Sequence, residues 1–164
     1  GSETPEEHAN YVWNNYVKRT NAKHIAIVAH SYGGCVALNL ATQNFPDFQN
    51  SVFAIALTDS IHDVKTRQVP IQVMNYLQKV ACNWVSDNAA LGTPVSTASN
   101  DIPKVSAGST KHELTSSSCF EVIFNFLQKR YYNMAGTSNF DTSKARGLVR
   151  VTMEQKVTYE FLKM

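Results

Sequence analysis

Cysteine is scarce and unpatterned in this chain of 164 residues: Cys35, Cys82 and Cys119 are the only three. They lie far apart, form no Cys-x-x-Cys pair and show no zinc-ligand spacing, which argues against a disulfide framework and a zinc ribbon alike. The expectation is three buried thiols in a reducing compartment, the cytoplasm or nucleus. Long apolar runs are lacking too: none reaches the length of a membrane span, and no signal-peptide pattern opens the chain. Charge is thin, at 17% Asp, Glu, Lys and Arg with a net charge of +2. So small an excess gives no reason to expect direct nucleic-acid binding or a membrane partner. None of the five histidines pairs with another at metal-ligand spacing, so no metal is expected, and no cofactor. An initiator methionine is lacking as well, and the chain is expected to be a fragment of something longer.

What is present is a hydrophobic fraction of 43%, enough for one globular domain with a real core. Thr4-Pro5-Glu6-Glu7 reads as a helix start, with a hydroxyl cap, proline at the first helical position and a glutamate that reaches back. Ala9, Val12, Trp13, Tyr16 and Val17 follow at helical spacing. The β-branched run His24–Val28 reads as a strand covered on both faces. Gly34–Asn44 reads as a helix closed by Phe45-Pro46-Asp47. Val52–Leu57 reads as a second buried strand, and Pro70–Val80 as a helix. From Trp84 onward turn formers dominate, up to a short strand at Lys104–Ala107 and a last helix at Ser116–Tyr132. Residues 133–164 read as a linker and a divergent tail, in which Gly147–Met164 supports neither period. Strand and helix alternate, so the fold class is α/β with a mostly parallel sheet and helices packed on it.

The most informative stretch is Ala29-His30-Ser31-Tyr32-Gly33, between the first strand and its helix. A strand that feeds a helix through a very tight turn lifts a hydroxyl above the sheet, and the small residues around it avoid clashes. This is the nucleophile elbow Gly-x-Ser-x-Gly with alanine in the first place. Ser31 is the candidate nucleophile. The Tyr32 amide, at a helix start, is the candidate oxyanion donor. A serine nucleophile needs a base, and the base an orienting acid, in the chain order Ser, acid, His. Asp59 follows the second strand and His112 the last, so both reach the edge where ligands of open α/β sheets bind. Asp63, Asp87 and Asp101 are rivals for the acid. His30 and His62 are secondary candidates, as packing or supporting residues, while His8 and His24 look structural. Lys129-Arg130-Tyr131-Tyr132 mixes cations with aromatics, but it reads as the solvated end of a helix.

Five segments, GSETPEEHANYVW, IVAHSYGG, ALTDSIHDV, CNWVS and VSAGSTKHELTS, in this order resemble the Arb-two (Argonaute-binding) domain family from Gly1 to about Gln128. The resemblance implies an α/β-hydrolase-like three-layer sandwich with Ser31 as nucleophile. It supports Asp59 and His112 as site residues through the matching TDS and KHELTS segments. It implies a nuclear regulator, also cytoplasmic in part, whose partners are Argonaute and chromatin or splicing proteins. It further implies small-RNA-guided silencing and alternative splicing as the setting, with hydrolase activity inferred. The alternatives are an active serine esterase or acyl hydrolase, and a scaffold without catalysis. The usual fold has further strands before the nucleophile strand, and a loop after one of them gives the second oxyanion amide. With those N-terminal strands missing, half an oxyanion hole and an open sheet edge at His24–Val28 are expected.

Overall fold

A computed structural model of the chain describes residues 3–135, 148–153 and 157–163. Most of the expected linker lies outside the described residues, as do Gly1 and Ser2. The helices are α1 (Pro5–Asn15), α2 (Gly33–Gln43), α3 (Phe45–Ser51), α4 (Ile71–Val80), α5 (Thr115–Ser118) and α6 (Phe120–Ala135). The strands are β1 (Ile25–His30), β2 (Val52–Thr58), β3 (Ala81–Val85), β4 (Pro94–Val95), β5 (Lys104–Ser106), β6 (Leu148–Met153) and β7 (Val157–Lys163). They form one sheet in the order β4-β5-β3-β2-β1-β7-β6. The central run β5-β3-β2-β1 is parallel, and β4, β7 and β6 pair antiparallel.

Local chemistry accounts for these elements. Thr4 Oγ1 accepts the Glu7 amide at 3.2 Å, and Glu7 Oε2 accepts the Thr4 amide at 3.2 Å. Two amides that the first turn of α1 leaves open are thereby satisfied reciprocally. In β1 the side chains alternate between faces. Ile25, Ile27 and Ala29 join the core beneath α1–α4, together with Trp13, Leu38, Phe48, Ile55, Leu57 and Leu77. Ala26 turns to the other face, where Ala54, Ala56 and Trp84 meet Ile123 and Leu127 of α6. The fold is thus a three-layer sandwich with its mostly parallel sheet in the middle. Alanine at 26, 54 and 56 leaves that face shallow, and the large rings Trp84 and Phe126 fill it, their centroids 5.2 Å apart.

Three elements differ from the sequence reading. Phe45-Pro46-Asp47 opens α3 where a helix end was expected, because proline suits a first helical turn as well as the residues just past a helix. Phe48 then turns fully inward. The stretch containing Trp84, read as irregular, is in part β3, which follows α4 without any loop. Its five residues hold a buried Asn83, so neither a continuous apolar run nor clean alternation marks it. The edge of β1, expected to be open, is paired: Ile25 lies opposite Lys163 and Ala29 opposite Tyr159 in β7. An unpaired strand edge is a row of unmet donors and acceptors, which a strand of the same chain can satisfy. Of the three thiols, Cys35 and Cys119 are buried and Cys82 is half-buried. Burial pushes the Cys82 thiol up to about 12 and the Cys119 thiol up to about 11, so both stay protonated and unreactive at neutral pH. No described helix is long and apolar enough to cross a membrane.

Phe48 is fully enclosed, and its ring centroid lies 5.3 Å from that of Trp13. Phe48→Ala is expected to lower the free energy of unfolding by about 3–5 kcal/mol, whereas Ile71→Ala, at a position 70% exposed, should change it by less than about 0.5 kcal/mol. Urea denaturation of both variants checks the contrast.

Candidate active site

The site forms where β1, β2 and β5 end. Ser31 follows β1 with φ at +53°, and Asp59 follows β2 with φ at +45°. A residue with a side chain enters this left-handed region only when its surroundings hold it there. Here hydrogen bonds hold it. The Ser31 amide donates to the Thr58 carbonyl at 2.9 Å, and the Asp59 amide to the Trp84 carbonyl at 2.7 Å. The Ser31 carbonyl then accepts the Gly34 amide at 3.1 Å as α2 begins. Gly34 must be glycine for a steric reason: a Cβ there would lie 1.7 Å from Ser60 Oγ and 2.6 Å from Ser60 Cβ.

His112 stands on a 3-10 turn, His112–Leu114, after β5. Its Nδ1 lies 2.7 Å from Asp59 Oδ2, and its Nε2 lies 3.0 Å from Ser31 Oγ. A carboxylate only accepts, so the ring proton sits on Nδ1, and the bare Nε2 accepts from the Ser31 hydroxyl. Asp59 is held in turn by Ser86, whose amide donates to Oδ1 at 3.0 Å and whose hydroxyl donates to Oδ2 at 2.7 Å. Burial pushes the Asp59 carboxyl up, but the two Ser86 hydrogen bonds and His112 outweigh it and hold the group below the usual carboxylate range. The carboxylate is therefore charged at neutral pH, as an orienting acid must be.

Tyr32 is clamped beside Ser31. Its hydroxyl donates to Glu6 Oε1 at 2.6 Å, and the Arg67 guanidinium lies 5.7 Å from its ring centroid. The hydrogen bond to Glu6 pushes the Tyr32 phenol up. Its backbone stands at the cap of α2, where the first-turn amides and the helix dipole favour negative charge.

The rival acids serve elsewhere. Asp63 accepts from the Lys65 amide at 3.0 Å, and Asp87 from the Ala89 amide at 2.7 Å. Asp101 belongs to a second relay. Its Oδ1 lies 3.0 Å from His62 Nε2, and His62 Nδ1 lies 2.6 Å from Ser60 Oγ. Lys104 Nζ pairs with Asp101 Oδ2 at 3.0 Å. This is also a serine, a histidine and an aspartate in line, but the His62 side chain is fully enclosed, and Ser60 packs directly on Gly34, leaving no room for a substrate. It braces the loop that carries Asp59. His30 lies next to His112, and His24 packs edge-on against Tyr131, centroids 5.9 Å apart. Among the described residues no cluster of histidine, cysteine and carboxylate side chains could hold a metal.

Sequence reasoning missed Ser86, Asn83 and Ser116. Asn83 ties β3 to the acid loop, accepting the Ser60 amide at 3.1 Å, and Ser86 directly follows β3. The one available signal was the end of a strand, and β3 itself carries too weak a pattern to mark it.

A family model described as the Arb2 domain matches residues 1–91. The chain belongs to the Arb2 domain family. It is 44% identical over 124 residues to the cotranscriptional regulator ARB2A homolog of Xenopus tropicalis, covering 76% of this chain and 29% of that protein. It is 38% identical over 152 residues to the cotranscriptional regulator ARB2A of Homo sapiens, covering 93% of this chain and 36% of that protein. The ARB2A homolog of Dictyostelium discoideum is 30% identical over 135 residues, 79% of this chain and 35% of that protein. The chain thus spans about a third of the length of these curated relatives. No solved structure matches it.

The enclosed relay of this Arb2 chain responds to acid at two of its members. Burial, chiefly, holds the His62 imidazole below its usual range despite the attraction of Asp101. The unfolded chain then binds that proton more readily, so the stability it contributes is present at neutral pH and is lost as pH falls below about 6.5. Burial raises the Asp101 carboxyl, but Lys104, the Ile102 amide and His62 outweigh it and hold it low. That contribution is lost further down, as pH falls below about 4. Urea midpoints measured from pH 8 to pH 3 should therefore fall in two stages, and His62→Gln should shrink the upper one, to which His30, also held low by burial, contributes as well. Separately, Gly34→Ala should cost about 1–3 kcal/mol, and Ser60→Gly in the same chain should restore part of the loss by thermal melting.

Proposed function

We propose that this Arb2 chain carries a serine-hydrolase-type site, part of a nuclear regulator that works through contacts with Argonaute and with chromatin or splicing proteins. The observation that carries the first half is the continuous line from Ser31 Oγ through both nitrogens of His112 to Asp59 Oδ2, at 3.0 and 2.7 Å. The three residues sit at the ends of three different strands, at the edge where α/β sheets bind ligands. The second half rests on the family and on the relatives' names, which print a cotranscriptional role.

The chemistry follows from the hydrogen-bond order. Ser31 Oγ attacks the carbonyl carbon of an ester or related acyl substrate, and its proton passes to His112 Nε2. Asp59 stabilises the imidazolium that results. The carbonyl oxygen becomes an oxyanion, and the Tyr32 amide and the α2 terminus stabilise it. Collapse of the tetrahedral intermediate breaks the acyl–oxygen bond, and His112 returns the proton to the departing alcohol. Water, deprotonated by the same imidazole, then releases the acid and restores Ser31.

A second reading, a scaffold without turnover, is favoured by the relatives' names, which describe regulation and no reaction. A fluorophosphonate probe separates the two. Labelling is expected on Ser31, absent in Ser31→Ala and slowed about a hundredfold or more in His112→Ala. No labelling of the chain, with Argonaute capture unchanged by Ser31→Ala, overturns the hydrolase reading in favour of the scaffold.

A further inference from the structure

His112 has hydrogen bonds at both ring nitrogens, Nδ1 to Asp59 and Nε2 to Ser31, and its side chain is 47% exposed. Bonds that lie in the ring plane leave the ring able to tilt about the line that joins the two nitrogens. The 3.0 Å reach from Nε2 to Ser31 Oγ needs the ring plane fixed as well.

His112 lies beside His30. The two ring centroids are 4.7 Å apart, with planes inclined by 36°, a tilted pair within the separation that aromatic rings favour. His30 is itself locked. Its Nδ1 is 3.0 Å from Thr58 Oγ1 and 3.4 Å from Ser116 Oγ. Those two hydroxyls lie 2.7 Å from each other, and Thr58 is wholly buried. Residues of three elements, β1, β2 and α5, therefore meet at His30 Nδ1 and restrain its ring. Beyond this triangle the Thr58 carbonyl accepts the Ser31 amide at 2.9 Å, a backbone contact that a change of the Thr58 side chain leaves in place.

We infer that His30 is a positioning residue, a flat platform locked by Thr58 and Ser116 that sets the plane of His112 so that Nε2 faces Ser31 Oγ. This rests on reading Ser31 as the nucleophile. Burial, and then repulsion from His112, hold the His30 imidazole below its usual range against the Thr58 backbone and the weaker pull of Asp59. An uncharged ring tolerates the imidazolium that forms on its neighbour during acyl transfer, where a second cation would oppose it.

The test compares His30→Phe, which keeps a flat ring, with His30→Ala, which removes it, in the whole chain. In His30→Phe the Thr58 and Ser116 hydroxyls still have each other. The first readout is the low-field proton resonance of His112 Nδ1–H in its short bond to Asp59. It should persist in His30→Phe and be lost to exchange in His30→Ala. The second readout is the rate of Ser31 phosphonylation by the fluorophosphonate, expected to fall about tenfold or more in His30→Ala and less than about threefold in His30→Phe. Thermal melting shows which variants fold. If His30→Ala does not, Thr58→Val, which frees the His30 ring, should weaken both readouts in the same direction. A folded alanine variant with the unaltered resonance and rate overturns the inference, and so does a folded phenylalanine variant that loses both. Absence of labelling in the unaltered chain defeats the nucleophile reading instead, and the resonance comparison still decides the part played by His30.

Discussion

Hydrogen bonding that continues past the ends of the parallel strands is the constraint on which the site depends. The Ser31 amide reaches the Thr58 carbonyl and the Asp59 amide reaches the Trp84 carbonyl, each just beyond the last residue of its strand. The Ala107 amide does the same to the Val85 carbonyl at 2.8 Å. At Ser31 and Asp59 the chain then turns through the left-handed region, and the side chain leaves the sheet at its carboxyl edge. Parallel pairing makes these exits coincide: because the strands run the same way, their ends share one edge, and groups far apart in the chain converge there.

The same convergence explains what could be read from the sequence. An apolar run that stops at a hydroxyl or a carboxylate marks a strand end, and that signal placed Ser31 and Asp59 without knowledge of the fold. His112 was legible because Lys104–Ala107 also ends abruptly. The helix cap at Thr4 and the inward Trp13 were legible because side chains within four residues of each other determine them, whereas Tyr16, read on the same apolar face, lies past α1 and is 60% exposed. Other features were not. β3 follows α4 with no intervening turn, and its inward Asn83 breaks the pattern, so the neighbour that completes the parallel run was absent from the reading. Ser86 and Ser116 lie among many serines, and only three-dimensional proximity to Asp59 and His30 distinguishes them. The pairing of β7 with β1 joins residues more than a hundred positions apart, a distance over which local patterning carries no information.

Two serine–histidine–aspartate lines run through one small domain, and their chemistry differs through enclosure. Around Ser60, His62 and Asp101 the side chains are packed against Gly34 and cut off from solvent. There the arrangement satisfies polar groups that burial would otherwise leave unmet. Around Ser31, His112 and Asp59 the histidine is open, and the carboxylate is supported from behind by Ser86. The identity of the residues is the same in both. Access separates them, and the enclosed line steadies the loop that carries Asp59.

β7 has a consequence for how this unit can sit beside other polypeptide. Alternate residues along β1 turn their N–H and C=O groups to that side, and β7 occupies them between Ile25 and Ala29. An additional strand arriving there cannot simply add to the sheet; it has to take those places over, and the hairpin of β6 and β7 must then dock elsewhere or stay undocked. The flank of β1 therefore works as a seat for a single occupant.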